Sequence, residues 1–168
     1  VLRAADGVAR RHGPPTEFEA LTAAALLWLA RSRVDVAVIE VGLGGRLDAT
    51  NAWDGGVAAV TNVALDHMEH LGPTIAAIAR EKAAIVKRGD RAVTGCDGEA
   101  LAIVRRRAGR VGAPLTVTPP LPVLRMGLDG TVLRHPSMGE LPLALLGRHQ
   151  AANAAVALGI LERSEEYT

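Results

Sequence analysis

The sequence predicts an α/β fold: a mostly parallel sheet flanked by helices, with a small antiparallel β extension. Three observations carry this reading. VDVAVIEV (34–41) and GVAAVTNV (56–63) are continuous apolar runs, the pattern of strands buried on both faces. Stretches with helical period stand between most of the predicted strands. After Pro119-Pro120 the pattern changes to short strands, with an Asp-Gly turn signal in MGLDGTVLRHP.

The elements follow in order. Thr16 has the character of an N-cap, and Glu19 stands three residues later, the spacing of a capping box. The helix it starts should turn Phe18, Leu21, Ala25, Trp28 and Leu29 inward. The run 34–41 is the first expected strand and leads into a glycine loop. The run 56–63 is the second, and ALDHMEHLG after it reads as a short helix or turn. In PTIAAIAREKAAIV, Pro73 suits the first helical position. Ile75, Ile78, Ala79 and Lys82, with Ile85 or Val86, share the face expected to turn inward; Arg80, Glu81 and Lys87 take the solvent side. RAVTG (91–95) is a third strand, 97–111 a helix and 115–118 a fourth strand. The hairpin signal and ELPLALLG give the antiparallel extension. GRHQAANAAVALGILE closes the pattern as an alanine-rich helix, with His149 and Asn153 on one face at its start. Trp28, Trp53 and His70 read as loop and core residues.

Composition narrows the function classes. The 168 residues carry a net charge of +1, and hydrophobic residues make up 49%. That balance gives no general attraction to nucleic acid. Aromatics are 2%, too few to build stacking platforms for single-stranded bases. Arg105, Arg106, Arg107 and Arg110 read as a solvated helix face. The longest apolar run, 23–30, is far short of the roughly 20 residues that a membrane span needs. No membrane or nucleic-acid partner is expected, and the chain is expected to be a cytoplasmic monomer. Cys96 is the single cysteine, so no internal disulfide can form; it reads as a small, half-buried residue.

Three residues stand out chemically. Glu40 lies inside the apolar run VIEV, where a carboxylate is costly unless paired or bound to a cation. It also lies near the C-terminal end of an expected parallel strand, where open α/β sheets bind ligands. A Glu paired with an Arg explains it equally well. His67, in LDH, follows the second strand; if the strands are neighbours, Asp66 or His67 comes near Glu40. Such a set suits Mg²⁺ or Mn²⁺, whereas His67 alone would more simply cap or pack. Lys82 falls on the inward helix face, where a lysine is rarely left unpaired; a snorkelling stem is the plainer account. The loop Gly42-Leu43-Gly44-Gly45 is neither a dinucleotide fingerprint nor a Walker A loop, since Leu47 replaces the third glycine and no GK[ST] occurs.

Taken together, TEFEALT, EVGLGGRLDATN, TNVALDHMEHLG, TIAAIAREKAAIVK and GRHQAANAAVAL resemble, in the same order, the folylpolyglutamate synthase/dihydrofolate synthase family of the Mur ligase superfamily. The resemblance runs from about Thr16 to Leu161. It implies the central ATPase domain of an ATP-dependent carboxylate–amine ligase, with ATP, L-glutamate and dihydropteroate or folate as substrates. An acyl phosphate would form and be attacked by the glutamate amine. Glu40 and His67 then match Mg²⁺ ligands. Lys82 matches a lysine that becomes carbamylated and helps hold the second of two magnesium ions. Asn153 matches a nucleotide contact, with His149 beside it. Thr16, Glu17, Phe18 and Glu19, with Leu47, Asp48 and Ala49, match segments lining the pterin pocket.

The departures are also legible. The family's phosphate loop, of the type GTNGKGS, and its C-terminal glutamate-binding domain have no counterpart in the sequence, and Ala84 stands where many relatives have glycine. The chain is therefore expected to be a single partial domain over 1–168, starting inside a helical pattern, with negligible ligase activity alone. Two other readings compete: a non-catalytic remnant that binds Mg-nucleotide or pterin, and a different Mur-type amino-acid ligase. The sequence does not separate dihydrofolate synthesis from polyglutamate extension.

Overall fold

The structure is a computed structural model that describes Ala9 and residues 13–164. The described chain falls into two compact units, divided between Trp53 and Asp54.

In the first unit, helix α1 spans Glu17–Ser32. It begins as the sequence predicts. The Thr16 Oγ accepts from the Glu19 amide at 3.2 Å, and a Glu19 carboxylate oxygen accepts from the Thr16 amide at 2.7 Å. Each bond satisfies a donor that the helix start leaves open. The helix ends at Arg33, in a left-handed conformation with φ 50°. Two expectations fail beyond this point. No residue of α1 is buried, and Trp28 is 65% exposed, so the face expected to be core is not one. The run 34–41 belongs to neither sheet; Val36 is 72% and Val38 93% exposed. The physical reason is shared. An apolar stripe or run records a need for burial, and a strand also needs a neighbour to take its backbone hydrogen bonds. Among the described residues no strand pairs with 34–41.

The second unit holds the α/β layers. Strands β1 (Val57–Val60), β2 (Arg91–Thr94) and β3 (Leu115–Val117) form a parallel sheet in that order. Helices α2 (Met68–Leu71) and α3 (Ile75–Ala83) lie between β1 and β2 in the chain, and α4 (Gly98–Val111) lies between β2 and β3. Side chains alternate across the sheet. Val60 packs with Ala79 and Ala83 of α3 and Ala100, Ile103 and Val104 of α4. Val93, on the other face, meets α5 (His149–Ser164) at Gly159. Here a Cβ on Gly159 would lie 3.0 Å from Val93 and 2.8 Å from Thr118. The absence of a side chain is what lets helix and sheet approach so closely.

The extension is the expected antiparallel sheet, β4 (Val123–Gly127), β5 (Gly130–His135) and β6 (Gly139–Leu143). Gly127 pairs with Gly130, so the turn falls at Leu128-Asp129, one residue before the Asp-Gly pair that signalled it, and Gly130 opens β5. The Leu121 amide donates to the Ala151 carbonyl at 3.3 Å. The chain therefore leaves for the small sheet and returns from it at adjoining points.

Smaller differences have local causes. Thr74, rather than the position before Pro73, caps α3: its Oγ accepts from the Ala77 amide at 3.1 Å, and Pro73 precedes the cap. Cys96 is buried rather than half-buried, at 5% exposure. Arg107 departs from the solvated arginine face, as described below.

Candidate functional site

In the first unit, two of the predicted substrate segments meet. A Cβ on Gly42 would lie 2.6 Å from the Phe18 ring, so α1 and the glycine loop touch through a position that admits no side chain. Gly44 and Gly45 have φ of 69° and 154°, and both are buried. Asp48 organises the loop. One carboxylate oxygen accepts from the Leu43 amide at 2.9 Å and the other from the Thr50 amide at 2.9 Å, at the start of a 3₁₀ turn over Ala49–Ala52. Partial burial pushes the Asp48 pKa up, but bonds from the Thr50 hydroxyl and from the Leu43, Thr50 and Gly42 amides outweigh it and leave it lowered. The Asn51 amide adds a bond to the Arg46 carbonyl at 3.2 Å.

These bonds sort the predicted substrate residues. Thr16 and Glu19 commit their side chains to the helix cap, and the two hydrogen bonds from Thr16 lower the Glu19 pKa. Asp48 commits its side chain to the loop. Phe18 and Leu47 remain exposed as apolar surface, with Leu47 80% exposed. Glu17 is exposed and Ala49 half-buried. Glu40 lies in this unit, exposed, in the run that forms no strand.

In the second unit, His67 follows the C-terminal end of β1 and occupies a left-handed conformation with φ 49°. A non-glycine residue rarely adopts this conformation. Its ring stands 3.7 Å from Asp66 and 4.0 Å from Glu69, and all three side chains are solvent-exposed. Lys82 is half-buried near the end of α3 and makes no ion pair among the described residues. Its charge reaches Cys96: burial raises that thiol's pKa, opposed by the Thr94 hydroxyl bond, while Asp97 raises it and Lys82 lowers it. Among the described residues no three His, Cys, Asp or Glu side chains are grouped to hold a metal ion.

Two residues missed in the sequence act beside the predicted ones. Arg107 of α4 turns away from solvent and donates through Nε to the Val86 carbonyl at 2.9 Å and through Nη2 to Ala84 at 3.3 Å. It thus braces the carbonyls just after the helix that carries Lys82. At the start of α5, Gln150 stands between His149 and Asn153. Its Oε1 accepts from Asn153 Nδ2 at 3.1 Å, and its Nε2 lies 3.2 Å from His149 Nε2. The four-residue spacing of His149 and Asn153 was visible in the sequence; the amide joining them was not.

The second unit is an α/β domain with a parallel sheet under helices, with His67 and Lys82 both on the β1–β2 crossover, and residues 7–119 match the Mur ligase middle domain. The chain belongs to this family. It is 42% identical over 170 residues to a probable bifunctional folylpolyglutamate synthase/dihydropteroate synthase of Haloferax volcanii, covering 95% of this chain and 20% of the relative. It is 37% identical over 175 residues to the dihydrofolate synthase/folylpolyglutamate synthase of Mycobacterium tuberculosis, covering 92% of this chain and 35% of that protein. The solved M. tuberculosis folylpolyglutamate synthase, complexed with ADP and AMPPCP, superposes with a TM-score of 0.84 at 34% identity, over 96% of this chain and 39% of that one. The chain thus spans between a fifth and about two-fifths of the length of these relatives. No described helix is long and apolar enough to cross a membrane.

Proposed function

We propose that this chain supplies the central, nucleotide-handling part of an ATP-dependent ligase that joins L-glutamate to dihydropteroate or folate through an acyl phosphate. The observation that carries the proposal is the likeness, over 96% of the chain, to a synthase complexed with ADP and AMPPCP. Exposed Phe18 and Leu47 offer apolar surface for the pterin, with Thr16, Glu17, Glu19, Asp48 and Ala49 shaping its walls. His149 and Asn153 contact the nucleotide.

Glu40 in the first unit and, taken separately, His67 and Lys82 in the second are the proposed Mg²⁺ holders. The donor chemistry fits. Glu40 offers a carboxylate, His67 an exposed imidazole that makes only long ion-pair contacts, and Lys82 an amine without an ion pair among the described residues. The Lys82 ammonium first loses a proton, and the neutral amine plus CO₂ then gives a carbamate and releases a second proton, so that a half-buried cation becomes an oxygen donor. When bound, Mg²⁺ would neutralise phosphate charge. Within the chain, α3 carries Lys82, and His67, in its left-handed conformation, follows the C-terminal end of β1 with its side chain exposed.

The test uses the full-length protein that carries this segment. ATP-dependent glutamate addition to dihydropteroate or folate should be abolished in Lys82→Ala and not restored in Lys82→Arg. With ¹³C-bicarbonate, a carbamate carbon signal should appear in the wild type and be absent from both variants. Full activity in Lys82→Ala would remove Lys82 from the mechanism.

A further inference from the structure

We propose that Arg107 is a positioning residue for Lys82: its guanidinium clamps two peptide groups just after α3 and so sets how readily Lys82 is carbamylated. This rests on the reading above that Lys82 becomes a carbamate, and it adds the residue that holds the lysine in place for it.

A helix end leaves its last carbonyls without intrahelical donors. In α3 this end falls at Lys82 itself. The Lys82 carbonyl accepts from the Ile85 amide at 3.4 Å, and the Ala83 carbonyl accepts from the Val86 amide at 3.1 Å. These are the three-residue bonds of a tightened last turn.

A peptide group is planar, so its carbonyl and its amide move together. The Ile85 amide shares its plane with the Ala84 carbonyl, which accepts from Arg107 Nη2 at 3.3 Å. That plane is held at both ends, by Arg107 on one side and by the Lys82 carbonyl on the other. A second plane is held in the same way. The Val86 carbonyl accepts from Arg107 Nε at 2.9 Å, and the Lys87 amide of that plane donates to the Asp90 carboxylate at 2.6 Å. Asp90 is buried, directly before β2. One side chain therefore pins two planes on the path from Lys82 to the sheet.

Helix α4 gives Arg107 a fixed base. Ala100, Val104 and Ala108 are buried, and helical spacing places Arg107 on the same face. A guanidinium keeps its charge and presents its donors as a rigid fork, whereas a lysine ammonium is a single flexible point.

The neutral Lys82 amine adds to CO₂, forming an N–C bond, and loses a proton to solvent. The step is reversible, so occupancy follows how well the new oxygens are received where they form. That fit depends on where the main chain at Lys82 stands. Without Arg107 the Ala84–Ile85 plane can turn, the Lys82 carbonyl loses its donor, and the last turn of α3 frays around the lysine.

The experiment uses the full-length protein that carries this segment. Carbamate occupancy is read from the ¹³C carbamate signal as ¹³C-bicarbonate is raised. Arg107→Ala should need roughly 10–100-fold more bicarbonate than the wild type for half occupancy, the range seen when a partner that orients a metal-site group is removed. Saturating bicarbonate should restore most of its turnover. Arg107→Lys should fall between the two, and should Arg107→Ala not fold, the Arg107→Lys shift decides. Gly159→Ala is the control, because it crowds α5 against the other face of the sheet; its bicarbonate dependence should equal that of the wild type. A wild-type curve in the Arg107 variants, or a shift of equal size in Gly159→Ala, would overturn the proposal and leave the carbamylation of Lys82 standing. If the wild type shows no carbamate at any bicarbonate concentration, the reading of Lys82 falls, and this proposal falls with it.

Discussion

Arg107 donates to the main chain of Val86 across the gap between two helices: its Nε lies 2.9 Å from a carbonyl that belongs to a fully buried residue. A second bond runs to Ala84. A buried carbonyl that loses its donor costs about 1–3 kcal/mol. Arg107→Ala should therefore lower unfolding stability by about that amount in a urea titration, and Arg107→Lys should recover only part, because the guanidinium fork is lost. Arg105→Ala and Arg106→Ala, on the exposed side of α4, should change stability by less than about 0.5 kcal/mol.

Asp48 predicts an acid-sensitive loop. Its folded pKa is lowered overall, with burial opposing and the Thr50 and amide bonds prevailing. The stabilisation is therefore present above the unfolded pKa and is lost as pH falls through the lowered folded value. Hydrogen exchange at the Leu43 and Thr50 amides, corrected for intrinsic rates, should accelerate over that acid range. In Asp48→Ala the acceleration should already be present at neutral pH, and unchanged exchange there would refute the role.

Asp90 behaves oppositely. It is nearly fully buried just before β2, accepts from the Lys87 amide at 2.6 Å, and has its pKa raised by burial, with Asp54 raising it further and Lys87 lowering it. A carboxyl that is harder to ionise when folded weakens the fold as pH rises toward and through its raised folded pKa. Asp54→Asn removes the neighbouring charge. Thermal unfolding should show a higher Tm at pH 7 than the wild type, with a smaller decline between mildly acidic and neutral pH.

Gly159 sets the distance between α5 and the sheet. Gly159→Ala gains up to about 1 kcal/mol in helix propensity. It also forces a methyl against Val93 and Thr118, which are stiff β-branched side chains, and overpacking of this kind costs about 1–3 kcal/mol. The net result should be destabilising. Adding Val93→Ala should make the Gly159→Ala step less costly, and a double-mutant cycle showing strict additivity would contradict the contact.

Much of this molecule was legible because its signals are local. The Thr16–Glu19 cap needs only a three-residue spacing, and the Asp-Gly hairpin signal needs only two adjacent residues, although the turn itself falls one residue earlier, at Leu128-Asp129. Strands β1, β2 and β3 fell inside the runs expected for them, trimmed at their ends. What failed depended on partners. The run 34–41 has the composition of a buried strand, but pairing belongs to two segments at once. Arg107 reads as one member of a basic run, and only the fold reveals two carbonyls within its reach. Gln150 was overlooked because a neutral amide carries no charge or spacing signal; its meaning lies in two bonds to its neighbours.

The bond between Leu121 and Ala151 has a consequence for how the chain could be rebuilt. Because the detour through β4, β5 and β6 starts and finishes at one spot, its two ends are already stitched together across the gap. The small sheet is a cassette. A short turn joining the two stems could replace it without asking β3 or α5 to move, and an unrelated hairpin could be spliced in at the same seam.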